Sequence, residues 1–220
     1  MPARLIVALG LAGALLLAAC GSPAQHPAAP TSSAKAVHTT VAASPTRTPS
    51  TTPAKPAEPA GQFSIAFAGD VHFAGRTASR LASPATAFGS SAAVLANADL
   101  TMVNLETAIA VGGQPEQKSF TFQAPPSALT ALADAGVDVA TMANNHGADY
   151  GLAGLHQTLT AISRSGFPVI GIGANAAAAY APFYRTVNGV RVAIVAASQV
   201  QDETLAHFSA TDTSPGIANA

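Results

Sequence analysis

Phe63-Ser-Ile-Ala-Phe-Ala-Gly-Asp-Val-His72 sets how the rest of the chain is read: a short apolar run, Phe63 to Ala68, meets a glycine and then delivers a carboxylate and an imidazole. The run has the length and the aromatic and β-branched content of a buried strand. The pattern recurs. Leu100-Thr-Met-Val103 is followed by Asn104-Leu-Glu106, and Val137-Asp-Val-Ala-Thr-Met142 by Ala143-Asn-Asn-His-Gly147. Two more strands are expected at Pro168–Ile172 and Val190–Ala196. Alanine-rich stretches between them, Gly75–Ala98, Pro126–Ala135 and Leu152–Ser165, read as helices. In the last, Leu152, Leu155, Leu159 and Ile162 recur at three- and four-residue steps and form a stripe able to pack on a sheet. Strands alternating with helices imply an α/β fold with a largely parallel sheet, and such sheets gather their chemistry beyond the carboxyl ends of the strands.

Three strand ends therefore deliver oxygen and nitrogen donors to one sheet edge. Residues two apart in extended backbone point the same way, so Asp70 pairs with His72, and Asn104 with Glu106. With Asn144, Asn145 and His146 they form a donor set without thiolate, suited to manganese, magnesium, iron or zinc. Two such ions about 4 Å apart would generate a hydroxide nucleophile. Each residue also has a structural reading. Asp70 after Gly69 suits a turn or helix cap, His72 a hydrogen-bonded structural histidine, and Asn144 and Asn145 a turn with left-handed backbone. Glu106, directly after an apolar strand, must be paired, coordinated or solvated. Asp149 is expected to cap the helix that begins near Tyr150, and His156 to be structural.

Outside this region the composition changes. Arg4 precedes an unbroken apolar run, Leu5 to Ala19, too short for a span of about 20 residues. It reads as an export signal over residues 1–20. Residues 21–61 hold eight of the 16 prolines and no aromatic residue, and cannot bury enough apolar surface to offset chain entropy. They read as a disordered tether, of the order of 100 Å if extended. His26 and His38 lie in it as solvated residues. What remains, 62–220, is enough for one domain. A net charge of -1 leaves no basic excess for nucleic acid, and the single cysteine excludes an intramolecular disulfide or a thiolate-rich zinc site.

Taken together, Phe67-Ala-Gly-Asp-Val71, Val103-Asn-Leu-Glu106, Phe122-Gln-Ala-Pro125, Ala143-Asn-Asn-His-Gly-Ala-Asp-Tyr-Gly151, Thr158 and Gly171-Ile-Gly-Ala174 resemble the CapA family of bacterial capsule or poly-γ-glutamate synthesis proteins. The resemblance implies a layered sheet with helices on its outer faces, similar to the calcineurin-like metallophosphoesterases. It makes Asp70, Glu106 and Asn145 metal ligands and His146 a catalytic group, with Asn104 and Asn144 as supporting neighbours. His72 is expected as a fourth metal ligand; it falls where many relatives have an apolar residue, and rests on its spacing from Asp70. Leu17-Ala-Ala-Cys20-Gly-Ser22 resembles a lipobox, which implies a lipid on Cys20 and an extracytoplasmic, membrane-anchored protein. Family members normally continue to a Gly-His-His-Pro-His-like block that supplies further imidazoles. None occurs before Ala220, so the resemblance implies a chain lacking its C-terminal half, a site finished by another polypeptide, or no working site. Gln199–Ala220 is polar and without strand periodicity, so Val190–Ala196 is expected to keep an open edge.

Two functions follow. The first is a lipid-anchored metal-dependent hydrolase or transferase acting on an anionic surface polymer. The second is a non-catalytic factor that holds poly-γ-glutamate, capsule polymer or the capsule synthase complex at the membrane, with Arg76, Arg80 and Arg185 as a local cationic patch.

Overall fold

The computed structural model describes residues 61–220; the leader, Cys20, the tether, His26 and His38 lie outside the described residues. In chain order the strands are β1 (Ile65–Val71), β2 (Leu100–Leu105), β3 (Ala108–Ile109), β4 (Gln123–Ala124), β5 (Val139–Thr141), β6 (Val169–Ile170), β7 (Ile172–Gly173), β8 (Phe183–Val187), β9 (Val190–Ile194) and β10 (Gly216–Ile217). The helices are α1 (Ser91–Leu95), α2 (Ser127–Asp134), α3 (Gly151–Ser165), α4 (Ala176–Ala179) and α5 (Glu203–Phe208). No helix among the described residues is long and apolar enough to cross a membrane.

The main sheet has the order β1-β2-β5-β6, with every neighbouring pair parallel. This is the expected α/β arrangement. β2 is its spine: Thr101, Val103 and Leu105 are buried on one face, and on the other Leu100 is buried while Met102 and Asn104 are half-covered. Thr101 is tolerated there because its hydroxyl donates to the Leu95 carbonyl at 2.6 Å and its N–H to the Asp138 carboxylate at 2.7 Å. Leu105, Ile109, Leu129, Leu132, Met142, Leu155 and Ile217 complete a core drawn from strands, helices and the C-terminal segment.

Four expectations need correction. Gly75–Ala98 forms 3₁₀ turns at Gly75–Ala82 and Pro84–Thr86 followed by the short α1, because Pro84 lacks an N–H and Gly89 takes a left-handed φ of 55°. On α3 the buried positions are Gly154, Leu155, Thr158 and Ala161, and Leu152 is 52% exposed. The apolar stripe is thus turned by one position, since Thr158 satisfies its hydroxyl by accepting the Ile109 N–H at 3.0 Å. Val190–Ala196 does not join the parallel sheet: β9 pairs antiparallel with β8, a strand that the sequence reading passed over, around Asn188-Gly189. The segment after Gln199 also packs. Asp202 caps α5 by accepting the Thr204 N–H at 2.9 Å, and β10 pairs antiparallel with β7, burying Ile217 and Ala218.

Gly171 makes that last junction possible. It separates β6 from β7 with a φ of 81°, and its carbonyl accepts the Ala218 N–H at 2.9 Å. A Cβ there would stand 2.5 Å from Ala143 Cβ and 2.7 Å from Ala143 N, at the start of the Asn144–His146 turn. Gly171→Ala is therefore expected to cost about 1–3 kcal/mol of stability. A urea midpoint equal to that of the parent, at equal slope, would show that the backbone relaxes freely there.

Candidate functional site

The site begins with a fault in strand register. Ala68 pairs with Val103 but Asp70 pairs with Asn104, so Gly69 is an extra residue and forms a bulge. Without it Gly69, and not Asp70, would face Asn104. The bulge brings the Asp70 carboxylate within 2.8 Å of Asn104 Nδ2, which also donates to Glu106 Oε2 at 3.1 Å. One amide thus ties together carboxylates from two strands. Asn104 Oδ1 accepts from Asn144 Nδ2 at 2.9 Å, and Asn144 reaches on to the Leu105 carbonyl at 3.0 Å while its own Oδ1 accepts the His146 N–H at 3.0 Å. Asn144 is buried and saturated with hydrogen bonds. It is a pin between β2 and the turn after β5, and so is Asn104.

His146 is held at both nitrogens. Nδ1 lies 2.7 Å from Asp149 Oδ2, and Nε2 lies 3.5 Å from Glu106 Oε1. A carboxylate only accepts, so Asp149 fixes the proton on Nδ1 and leaves Nε2 facing Glu106. Asp149 is fully buried and does not cap α3, whose N-cap is Tyr150 without a side-chain cap bond. Its Oδ2 also accepts the Phe122 N–H at 2.6 Å, and its Oδ1 lies 2.9 Å from Lys118 Nζ. Lys118 donates further to the Asn145 carbonyl and, at 3.1 Å, to Thr204 Oγ1. The Phe122 ring stands between two imidazoles, stacked on His72 with centroids 4.6 Å apart and tilted against His146 at 4.4 Å.

The expected residues divide accordingly. Asp70, Asn104, Glu106, Asn144 and His146 form one hydrogen-bonded network. His72 is placed beside it through Phe122, with Nδ1 accepting the Ala74 N–H at 3.0 Å. The Asn145 side chain turns away and donates to Asp202 Oδ2 at 3.0 Å. Arg185 pairs with Asp138 at 2.8 Å, just before β5 and at the opposite end of that strand from the cluster, so it belongs to no patch with Arg80. Lys118, Asp149 as orienter and Phe122 were not anticipated. Lys118 left one signal: it is the sole cationic residue between Arg80 and Arg164, in a stretch carrying Asp99, Glu106, Glu116, Asp134, Asp138 and Asp149.

The two carboxyls are pushed apart in acidity. Hydrogen bonding with Asn104 and with Glu106 holds Asp70 below the usual range, with His72 and His146 adding to the effect. Burial raises Glu106, and the neighbouring Asp70 raises it further. The pair is thus disposed to share one positive charge, a proton or a cation. Among the described residues no group of three or more His, Cys, Asp or Glu side chains is placed to hold a metal ion. Asp70 and Glu106, each bonded to Asn104 through one oxygen, do not by themselves amount to the closed shell that zinc takes. They fit a magnesium-like ion, which keeps several waters and uses one or two carboxylates.

Three open cavities meet here. One of about 420 Å³ is lined by Asp70, His72 and Arg80, one of about 480 Å³ by Asn104, Glu106 and Asn145, and one of about 640 Å³ by Lys118, Asn145 and His146. A separate, more apolar groove of about 590 Å³, between α2 and α3, shares no residue with the cluster.

With this geometry the comparison with known proteins is specific. The family model described as bacterial capsule synthesis protein PGA_cap matches residues 64–219. The chain belongs to that family. A probable polyglutamine synthesis accessory protein of Mycobacterium tuberculosis is 34% identical over 111 residues, 49% of this chain and 29% of that protein. Capsule biosynthesis protein CapA of Bacillus anthracis is 33% identical over 103 residues, 47% of this chain and 24% of that protein. The chain thus spans under a third of the length of these curated relatives. The PGA_cap match covers every member of the network from Asp70 to Asp149, and also Lys118, Thr204 and the β10 segment that closes the domain.

Two outcomes follow. Lys118→Met leaves Asp149 buried without its cation and is expected to cost about 3 kcal/mol, part of which returns when Asp149→Asn is added; urea denaturation of the two single variants and the double reads this. The second concerns pH, in chelator. A raised folded value for Glu106 means that its contribution to stability is full below its unfolded value of about 4.3 and is lost as pH rises through the folded one. Glu106→Gln is therefore expected to melt higher than the parent at neutral pH, with the gap closing below about pH 4. A variant less stable than the parent at neutral pH would mean that attraction to His146 outweighs burial.

Proposed function

We propose that this PGA_cap chain is an accessory domain of capsule or polyglutamate synthesis that brings an anionic surface polymer to a cation held by Asp70 and Glu106. The observation that carries this reading is the meeting of carboxylates from β1 and β2 with His146 from the turn after β5, at the carboxyl ends of three adjacent parallel strands. When bound, a magnesium or manganese ion would supply charge neutralisation and Lewis acidity toward a phosphoryl or carboxyl oxygen. The protein's own groups do the rest. Asn104 aligns the two carboxylates, Asn144 ties that alignment to the His146 turn, and Asp149 holds the imidazole so that Nε2 can accept or return a proton next to Glu106. The open cavities leave room for a chain and not only for a small molecule. The names of the relatives from Mycobacterium tuberculosis and Bacillus anthracis supply the polymer class.

In the same reading the domain works outside the cell membrane, tethered through residues 21–61 to a lipid on Cys20. The apolar Leu5–Ala19 run and the small residues before Cys20 support this placement. One further observation favours a second reading, in which the domain binds polymer without turning it over. Among the described residues no group of three or more His, Cys, Asp or Glu side chains is placed to hold a metal ion, short of the set that two bridged ions would need.

Manganese binding tests the cation directly. Isothermal titration of the full chain is expected to show about one equivalent bound at micromolar to millimolar Kd, with Asp70→Asn and Glu106→Gln each weakening it about tenfold or more. Binding that survives both substitutions would place the ion elsewhere. Hydrolysis of an activated phosphodiester that is lost in His146→Ala would favour the catalytic reading, and manganese binding without any turnover the second.

A further inference from the structure

The cavity beyond Asp70 differs from the other two in charge. Arg80 lines it with Asp70, Thr77, Phe88, Ser90 and Ser91, so one guanidinium balances its one carboxylate, whereas the other two carry acidic excess. The Arg80 guanidinium makes one long hydrogen bond, Nη1 to the Ala87 carbonyl at 3.4 Å, and no ion pair among the described residues. That bond orients the side chain and leaves most of its five donors free. The Ser90 and Ser91 hydroxyls likewise have no hydrogen-bond partner among the described residues, whereas Thr77 is taken up by the Ala74 carbonyl at 2.9 Å. Phe88 packs edge-on against buried Phe73, giving the cavity a rigid apolar side. On the far side of the cluster the balance is reversed: Asp202 and Glu203 line the third cavity, and the Lys118 ammonium there is already engaged by Asp149. The surface around the cluster is therefore polarised. An anion is drawn to the Arg80 end and repelled at the other.

We infer that the Arg80 cavity is an anion subsite, which holds one carboxylate of an extended linear polyanion while a neighbouring unit of the same polymer lies at Asp70 and Glu106. The inference rests on the proposed function for the second contact, but not for the first. A planar guanidinium flanked by hydroxyls suits a carboxylate or a phosphate, and the Phe88 side suits the methylene groups between them. A ligand that fills both places gains from their linkage, so affinity depends on length.

The test is fluorescence anisotropy with labelled γ-linked glutamate oligomers and the full chain in magnesium. An oligomer of about eight units is expected to bind about tenfold or more tighter than a dimer. Arg80→Gln is expected to lower the affinity for the longer oligomer about five- to tenfold and to leave the dimer unchanged, and Arg80→Lys to fall between, since it keeps the charge and loses the fork. Arg164→Gln, in the separate groove, should change neither. Linear polyphosphate is the second arm. Competition that depends on Arg80 would extend the subsite to phosphate polymers and support the same geometry. A dimer that binds as tightly as the longer oligomer overturns the inference, as does an Arg80→Gln variant of unchanged melting temperature and unchanged oligomer affinity. Manganese binding in the same preparations separates the two ideas. If it is intact while Arg80 has no effect, the subsite alone fails; if it is absent while Arg80-dependent oligomer binding persists in chelator, the cation alone fails.

Discussion

A carboxylate with no access to water holds this domain's polar end together. Asp149 receives the Phe122 N–H, the His146 imidazole and the Lys118 ammonium, at 2.6, 2.7 and 2.9 Å. Burying two opposite charges costs several kcal/mol each before their attraction and hydrogen bonds offset it, so the pair is poor evidence of net stability. What it supplies is registration. Three stretches that share no strand pairing, the loop through Lys118 and Phe122, the turn after β5 and the cap of α5, all attach to one group or to its immediate partner. A shift in any of them would leave a buried charge unmatched, and that penalty is larger than the gain from any single contact.

Registration of this kind explains why the cluster could be read only in part from sequence. The strand ends at Asp70, Asn104-Leu-Glu106 and Asn144-Asn145-His146 were legible, because period-two patterning and the α/β rule place them on one edge. Which atoms would meet was not. The bulge at Gly69 re-aims Asp70 by one residue; a glycine inside a strand often marks a bulge, but here the apolar run stops at Ala68 and the glycine reads equally as the strand's end. Asn144 and Asn145 are adjacent and chemically identical, yet one is pinned to β2 and the other faces Asp202, which alternation in a turn cannot decide. Asp149 at the start of a helix suggests a cap on local grounds, and only the distant Lys118 and Phe122 override that preference. The fold shows the same division. Parallel order and the extents of α2 and α3 were carried by local pattern, whereas the β8–β9 hairpin and the β7–β10 pairing depended on contacts that a window of a few residues does not contain.

The electrostatics of the cluster constrain its chemistry more than its outline does. Asp70 and Glu106 share one amide, and the less exposed of the two has its pKa raised while the other has its pKa lowered. A site built for general acid–base work alone would place a titrating imidazole at the centre and let a carboxylate orient it. Here that unit exists, His146 with Asp149, but it sits to one side of the carboxyl pair and addresses it through Glu106. A positive charge placed between Asp70 and Glu106 would oppose the burial and the repulsion that raise Glu106. Cation binding and the acidity of Glu106 are then coupled, and the His146 imidazole faces that same carboxyl, with Nε2 3.5 Å from Oε1. This coupling ties the two halves of the network together. It also accounts for Asn104 being an amide and not a third carboxylate: another negative charge at that point would raise Glu106 further and leave neither strand with a donor to bridge the pair.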